Sequence, residues 1–400
     1  MGRTITINPV TRIEGHAKVT IELGDDGKVS AALLHVLEFR GFERFVQGMH
    51  IEKMPTVTSR ICGTCPHAHH LAASKAVDAV FGVEIPRAAR LLRELLNAGS
   101  IIHSHAIHFF ALAGPDLFIG VDAAAEKRNL VALLSAAPEL GKKALRLRSI
   151  GQRISEEVGG RGTHPVTCVA GGMASGITSD TRKMLLGLAE EAVTLTQDVL
   201  AAGKDALTKN DVLLRSFEQK VHDLATTKDG ALEFYDGPLR LKSPDGKTER
   251  ELKAENYRDV MVEEALPHSY AKQVLLRANG SNLLPYRVGP LARLNCIDSI
   301  GTLLAAAEFR SLPRALGHAL PLHCRATSRT FDRDLESGRA RGRDPQGRRN
   351  PFERVAHGHQ GRSQESHRAR RGPSRSAHSR LRGRCRCQRH GGQSIGGHAA

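Results

Sequence analysis

From Cys324 to Ala400 only six side chains belong to the Ile, Leu, Val, Met, Phe, Trp and Tyr set: Phe331, Leu335, Phe352, Val355, Leu381 and Ile395. A segment this poor in large apolar groups cannot bury enough surface to offset the entropy of ordering its backbone, so it is expected to be disordered. Any folded core must come from the residues before it. The same break divides the charge. The chain of 400 residues carries a formal +16, but residues 324–400 hold 19 Arg, no Lys and six acids, or +13. The preceding 323 residues, with 39 basic and 36 acidic side chains, are close to neutral. A strongly basic chain suggests a phosphate-bearing partner. Here that footprint is confined to a tail without Lys and without aromatic residues interleaved for base stacking, which argues against nucleic-acid binding.

The body is long enough for a sizeable core. It has no apolar run of about 18 residues to span a bilayer, and its first residues lack the apolar core and cleavage site of a signal peptide, so a cytoplasmic protein without membrane contact is expected. Seven Cys in 400 residues form too sparse a set for a disulfide framework. A close pair then points to metal or redox chemistry.

Ala17–Leu23 alternates with period two, Gly24-Asp25-Asp26-Gly27 is turn chemistry and Lys28–Leu33 is again extended, which predicts a hairpin. From about His50 the period becomes helical. Pro86 opens a segment with Ala89, Leu92, Leu95, Leu96 and Ile102 on one face. Further helices are expected at about Ala124–Leu134, Lys142–Ser155, Ser179–Ala202 and Val212–Leu224. Gly230–Asn256, with turn clusters at Asp236-Gly237-Pro238 and Ser243-Pro244-Asp245-Gly246, reads as a loop-rich excursion with short strands. The expected class is mainly α with a small N-terminal β-sheet (α+β): a β-rich segment over 1–48, a helical body over 49–315 and the Arg-rich tail over 324–400.

Chemistry concentrates at Arg60-Ile61-Cys62-Gly63-Thr64-Cys65-Pro66-His67-Ala68-His69. Two thiols three positions apart can hold one soft metal centre, and the apolar segment from Leu71 reads as a helix whose N-terminal dipole favours thiolates. Gly63 lets the backbone turn between them. Alone, the pair is open to three readings: half a zinc site, a redox dithiol or two packed cysteines. Cys168 and Cys296 have no partner at ligand spacing and read as buried thiols. Taken singly, His103, His105 and His108 read as packed imidazoles on a helix, and Arg60 as an ion-pair partner.

Around this pair the chain resembles the large subunit of nickel-iron hydrogenases. The match runs through Pro9-Val10-Thr11-Arg12-Ile13-Glu14-Gly15-His16, Glu38-Phe39-Arg40-Gly41-Phe42-Glu43 and the RxCGxCxxxH motif at Arg60–His69. It continues through Ile102–Phe110, His164-Pro165-Val166-Thr167 with Gly171-Gly172, and Tyr286–Asn295. These motifs keep the family's order over about residues 3–310. In detail they look most like the cytosolic multisubunit type that reduces viologens without deazaflavin and partners heterodisulfide reductase; the soluble NAD-linked type is close behind.

The resemblance implies reversible heterolytic cleavage of dihydrogen, with electrons passed to a small subunit carrying iron-sulfur clusters. It implies that Cys62 is a terminal nickel thiolate and that Cys65 bridges nickel to an iron bearing cyanide and carbon monoxide. It further implies that Glu14 is the proton-relay carboxylate, that Glu43 serves an accessory magnesium site, and that His69 hydrogen-bonds near the bridging thiolate. Taken alone, Glu14 would be a surface acid at a strand end; its neighbours Arg12 and His16 favour the relay role.

The family needs four Cys at nickel, the second pair in a C-terminal DPCxxCxxH motif, and an upstream EAPRG-like segment. Neither occurs in the 400 residues, and Cys385-Arg386-Cys387 has the wrong spacing. Permitted codons for Arg371–Ala400, read one base later, encode EAPRGRLIHDYEVDADANVTAANLLVATQ, which resembles the family's sequence at this distance from the start. The wobble base makes single matches cheap but not a run of this kind. The expectation is a hydrogenase gene read out of frame after a shift between about Glu308 and Cys324. The competing expectations are an inactive frame-shifted product and a zinc- or nucleic-acid-binding protein.

Overall fold

The computed structural model describes residues 3–315 apart from Phe39, 211–218, Thr248 and 278–281. The 324–400 tail, and with it the expected disorder, lies outside the described residues.

Strands β1 (Arg3–Ile7), β2 (Ala17–Leu23) and β3 (Val29–Val36) form an antiparallel sheet with β2 in the centre. The expected hairpin is β2–β3, its turn closed by the Gly24 and Lys28 backbone. Arg3 pairs with Leu23 and Ile7 with Val19, so β1 brings its end back beside the start of β2. The loop between them, which carries Glu14, is therefore fixed at both ends.

Four long helices build the core: α1 (Pro66–Phe81), α2 (Arg87–Ile107), α3 (Pro138–Gly159) and α4 (Ser179–Lys209). Pro86 precedes α2 as expected. Gly82 and Gly160, at φ 62° and 75°, end α1 and α3 in the left-handed conformation that Gly adopts without a Cβ penalty. Leu71 of α1, Leu96 of α2, Leu147, Ile150, Ile154 and Val158 of α3, and Leu185 and Ala192 of α4 share one apolar cluster. The stretch expected as a helix at Ala124–Leu134 is a 3₁₀ turn (Ala125–Lys127) followed by a helix over Leu130–Ala136. Asn129 caps it, accepting the Ala132 N–H at 3.0 Å.

Helices α2 and α3 approach so closely that two glycines replace side chains at the contact. A Cβ on Gly151 would lie 2.5 Å from the His103 backbone nitrogen and 2.6 Å from the Gly99 carbonyl oxygen, and one on Gly99 would lie 2.7 Å from Ile154. Backbone cannot yield as a side chain tip can.

The centre of α2 holds a residue that its apolar spacing did not anticipate. Arg93 is fully buried in the stripe Ala89–Arg93–Leu96–Gly99. Its guanidinium meets Asp78 of α1 at 2.5 Å and donates to the carbonyls of Val169 and Gly172 at 2.9 Å each. Asp78 also accepts the Gly171 N–H at 2.8 Å. One buried ion pair thus joins α1, α2 and the short hairpin of Cys168–Val169 and Gly172–Met173.

The expected helix at Val212–Leu224 is corrected at its end: residues 211–218 lie outside the described set, and 222–224 begin strand β4 (His222–Lys228). Pairing with β5 (Leu239–Lys242), which sets Leu224 opposite Leu241, outweighs the local apolar spacing. Within the expected loop-rich excursion, β5 pairs in turn with β6 (Glu249–Leu252). A separate sheet joins β7 (Met261–Glu264), β8 (Gln273–Arg277) and β9 (Leu283–Leu284). Strand content is therefore not confined to the N-terminus. The Tyr286–Asn295 motif has a visible purpose here, because Arg287 and Asn295 each donate to the buried Asp223 of β4 at 2.8 Å. No helix among the described residues is long and apolar enough to cross a membrane.

Two substitutions test this packing. Gly to Ala in an exposed helix interior stabilises by about 1 kcal/mol. Gly151→Ala is expected to reverse that sign and destabilise by about 1–3 kcal/mol in urea unfolding, because the added methyl meets backbone. Arg93→Met leaves Asp78 charged and unpaired and is expected to cost about 3–5 kcal/mol. In the double variant Asp78→Asn/Arg93→Met the loss should be smaller than the sum of the single losses; strict additivity would show that the two side chains are not coupled.

Candidate metal centre

Cys65 is the residue from which α1 begins: Pro66 is the first helical position, five residues earlier than the apolar pattern from Leu71 suggests. Proline suits that position because its missing N–H would have had no partner within the helix. Cys62 precedes it in extended conformation, after a 3₁₀ turn over Ser59–Ile61. Its Sγ accepts the Cys65 N–H at 3.1 Å, and the two sulfurs lie 2.7 Å apart. His69, one turn into α1, completes the grouping. The ligating atoms of Cys62, Cys65 and His69 all lie within 4.8 Å of one another, and among the described residues this is the grouping of metal-site dimensions.

Glu14 arrives from the β1–β2 loop. Its Oε1 accepts the Cys62 thiol at 3.6 Å and its Oε2 accepts the Thr64 hydroxyl. Both flanking residues anchor this loop. Arg12, at φ 57°, donates to the Leu112 carbonyl at 2.9 Å and grips Asp116 with a second nitrogen at 2.8 Å. His16 Nδ1 meets Glu38 at 2.5 Å, which holds the Glu38 carboxyl below its ordinary range. Gly15 sits between Glu14 and His16 at φ +77°, where a Cβ would be strained and would press on Glu38 at 3.2 Å.

Two histidines outside the donor group hold the turn that leads into Cys62. His70, fully buried, donates from Nδ1 to the Pro55 carbonyl at 2.8 Å and accepts the Cys168 N–H on Nε2 at 3.1 Å. His164 Nδ1 donates to the Ser59 carbonyl at 2.9 Å. The His164-Pro165 motif thus acts on the site through a backbone carbonyl, whereas Arg12 and His16 hold the Glu14 loop through the side chains of Asp116 and Glu38 as well as the Leu112 carbonyl. Thr64 and His70 are not singled out by the sequence reading. Thr64 carries no signal, whereas His70, between Leu71 and the RxCGxCxxxH motif, could be read as the inward neighbour of a ligand-bearing turn.

The electrostatics correct one expectation. Partial burial of its sulfur, reinforced by the adjacent Cys62 and Glu14, pushes the Cys65 thiol up to about 12, opposing the pull of the helix terminus toward thiolate. Burial lowers the titration of His69, leaving its imidazole neutral and able to donate a lone pair at neutral pH. Cys168 and Cys296 are buried thiols as expected, pushed up by burial to about 11 and about 12.

The remaining sequence candidates do not join the cluster. Glu43 is exposed in the first turn of a four-residue helix, Phe42–Phe45. Arg60 is exposed and makes no ion pair among the described residues. His105 bonds the Ile101 carbonyl within its own helix at 3.0 Å, and His103 faces the Arg148 carbonyl at 3.4 Å.

The chain as a whole is similar to known proteins. The profile of the nickel-dependent hydrogenases matches residues 40–158, and one described as HoxL-like matches residues 4–39. A relative from Methanocaldococcus jannaschii, named as a component of its F420-non-reducing hydrogenase vhu, is 43% identical over 314 residues, covering 78% of this chain and 74% of that protein. The beta component of the NAD-reducing hydrogenase HoxS of Cupriavidus necator is 35% identical over 324 residues, covering 76% of this chain and 65% of that one. Among solved structures, an NAD+-reducing [NiFe]-hydrogenase in the H2-reduced state superposes with a TM-score of 0.74 at 34% identity, over 86% of this chain and 80% of that one. The Ni-Fe-Se hydrogenase of D. vulgaris Hildenborough shares the fold, with a TM-score of 0.62 at 23% identity and coverage of 86% and 80%. By these matches, the chain belongs to the nickel-dependent hydrogenase family, as a large subunit.

Proposed function

We propose that this chain is the large subunit of a cytoplasmic hydrogenase of the F420-non-reducing type, encoded here with a shifted reading frame beyond about residue 308. The observation that carries the functional reading is the convergence of Glu14 on Cys62, from a loop held by Arg12 and His16, onto the head of α1. In this reading Cys62 and Cys65 would hold nickel and an iron bearing cyanide and carbon monoxide as thiolates, Glu43 would serve magnesium, and His69 would hydrogen-bond near the Cys65 sulfur. The donors suit soft-metal chemistry. They supply two of the four thiolates the family uses, since the sequence contains a single CxxC.

A complete nickel-iron centre supplies heterolytic cleavage of dihydrogen. The chain's own part is proton handling. Glu14 Oε1, 3.6 Å from Cys62 Sγ, can take a proton from that sulfur, while Thr64 occupies Oε2 and keeps the carboxylate turned toward the cysteine. Electrons pass to an iron-sulfur small subunit, because seven cysteines cannot both ligate the centre and hold a cluster relay. The acceptor beyond it is a heterodisulfide reductase-type or NAD-linked subunit. In support, the relatives are themselves named as parts of F420-non-reducing and NAD-reducing hydrogenases.

The nucleotide sequence between codons 308 and 324 gives the first test. The next frame is expected to continue into EAPRG and a second CxxC, and a frame that does not would reject the shift. The frame-corrected chain, matured with its small subunit, should contain nickel and iron and reduce viologen with hydrogen. In that protein Glu14→Gln is expected to lower the rate by about 10²-fold or more with nickel content unchanged. An undiminished rate would remove Glu14 from the proton path.

A further inference from the structure

The N-terminal sheet turns its apolar side outward. Residues paired across adjacent strands point to one face. The register sets Ile5, Ile21 and Ala32 in one row and Ile7, Val19 and Leu34 in the next, so these six form a continuous apolar surface. The opposite face carries Thr4 with Glu22, Thr6 with Thr20, and Lys18 with His35. An antiparallel sheet with one face in water normally gives water the polar one. Here Ile7 is 46% and Leu34 54% exposed, and none of the six belongs to either buried apolar cluster. Three strands about 4.8 Å apart, at about 3.4 Å per residue, make this a patch of about 300 Å². Exposed apolar surfaces of that size are commonly contact sites.

We propose that this face is the seat of a β-hairpin that the present reading frame does not encode, in the segment read one base later from Arg371 onward. The bare face stands on geometry alone, whereas the choice of occupant rests on the frame shift proposed above.

Three observations point to that occupant. The tail as written cannot be the cover, because residues 324–400 hold six large apolar side chains. The match to the Methanocaldococcus jannaschii relative covers 74% of that protein, so about a quarter of its length, chain enough for a cover, has no counterpart here. The next-frame string has the pattern a cover needs. After EAPRGR it reads LIHDYEV, which sets Leu, Tyr and Val with His on one side and Ile, Asp and Glu on the other. DADAN follows with turn composition, and VTAANLLVAT is again rich in strand formers. The same rule that predicts the β2–β3 hairpin therefore predicts a second one. Two strands with an apolar side suit a three-stranded apolar face, and sheets packed in this way interdigitate side chains about 10 Å apart. The roughly 55 residues between 315 and 371 can reach across the body at about 3.3 Å per residue.

The test adds a fluorescently labelled synthetic peptide, EAPRGRLIHDYEVDADANVTAANLLVATQ, to the full purified 400-residue chain and follows anisotropy. Binding is expected to saturate at one peptide per chain and to be absent for a scrambled peptide. Ile7→Glu and Leu34→Glu, which place a charge in the contact, should each weaken it at least about tenfold. Thr6→Glu, on the polar face, should leave it unchanged. Hydrogen exchange of the unmutated chain gives a reading independent of variant folding: the peptide should slow the amides of β1–β3 and not those of α3. The proposal is overturned if no saturable binding occurs, if Thr6→Glu weakens binding as Leu34→Glu does, or if protection falls outside the sheet. Sedimentation adds one more refuting outcome, a dimer of the chain that Leu34→Glu dissociates and the peptide does not, which would make a second copy the occupant. A gene whose next frame lacks the segment would remove the frame shift and this occupant together. A confirmed frame with a peptide that does not bind would remove the present proposal alone.

Discussion

Asp78 and Arg93 carry opposite charges into a part of the molecule where neither could remain alone. The two terminal guanidinium nitrogens donate to Asp78 and to two backbone carbonyls of the 168–173 hairpin, leaving Nε without a partner among the described residues, and the second carboxylate oxygen takes a backbone N–H from the same hairpin. Desolvating a charged pair is costly, and this arrangement offsets the cost by giving the charges several well-placed partners. Three separate pieces of chain must be in place before the pair is satisfied. The helix that presents Cys65 and His69 is one of them. Metal-site geometry and core assembly are therefore not independent properties of this protein.

The site itself is built by backbone capture. His164 donates to the Ser59 carbonyl of the turn before Cys62 and His70 to the Pro55 carbonyl of the short helix preceding that turn, while Arg12 and His16 tie down the loop that brings Glu14. None of these four side chains needs to touch a ligand in order to matter. Each removes a degree of freedom from the segment that carries Cys62 or Glu14, which is how a shallow pair of thiols and a loop carboxylate are held in register. This division of labour gives a physical reason for the polar residues that flank the ligand positions, which composition alone would assign to the surface.

Much of this is legible in the sequence where one local rule dominates. The β2–β3 hairpin follows from alternation and a Gly-Asp-Asp-Gly turn, and α2 from its apolar face behind Pro86. The Cys62–Cys65 pair and Glu14 are found by motif, and the sequence alone cannot show that they meet, since 48 residues separate Glu14 from Cys62. Local rules fail where distant partners decide. His222–Leu224 becomes strand because residues fifteen or more positions later pair with it. Arg93 lies in a helix stripe that periodicity fills with apolar residues, and its partners come from two other segments. The head of α1 escapes the apolar pattern because Pro66, His67 and His69 carry no apolar signal, although a proline at the first position marks the start of a helix.

Helix α1 is fixed at two points: Cys65 at its head and Asp78 thirteen positions on. At 1.5 Å per residue that is a lever of about 20 Å, and at 3.6 residues per turn each residue is worth about 100° of rotation. The buried pair therefore acts as an angular gauge. Inserting or deleting one residue between Leu71 and Val77 would leave composition, helicity and apolar content almost unchanged, yet it would turn the Cys65 and His69 donors about a quarter turn away from Glu14. Here spacing along the helix itself sets the direction in which its thiol and imidazole point.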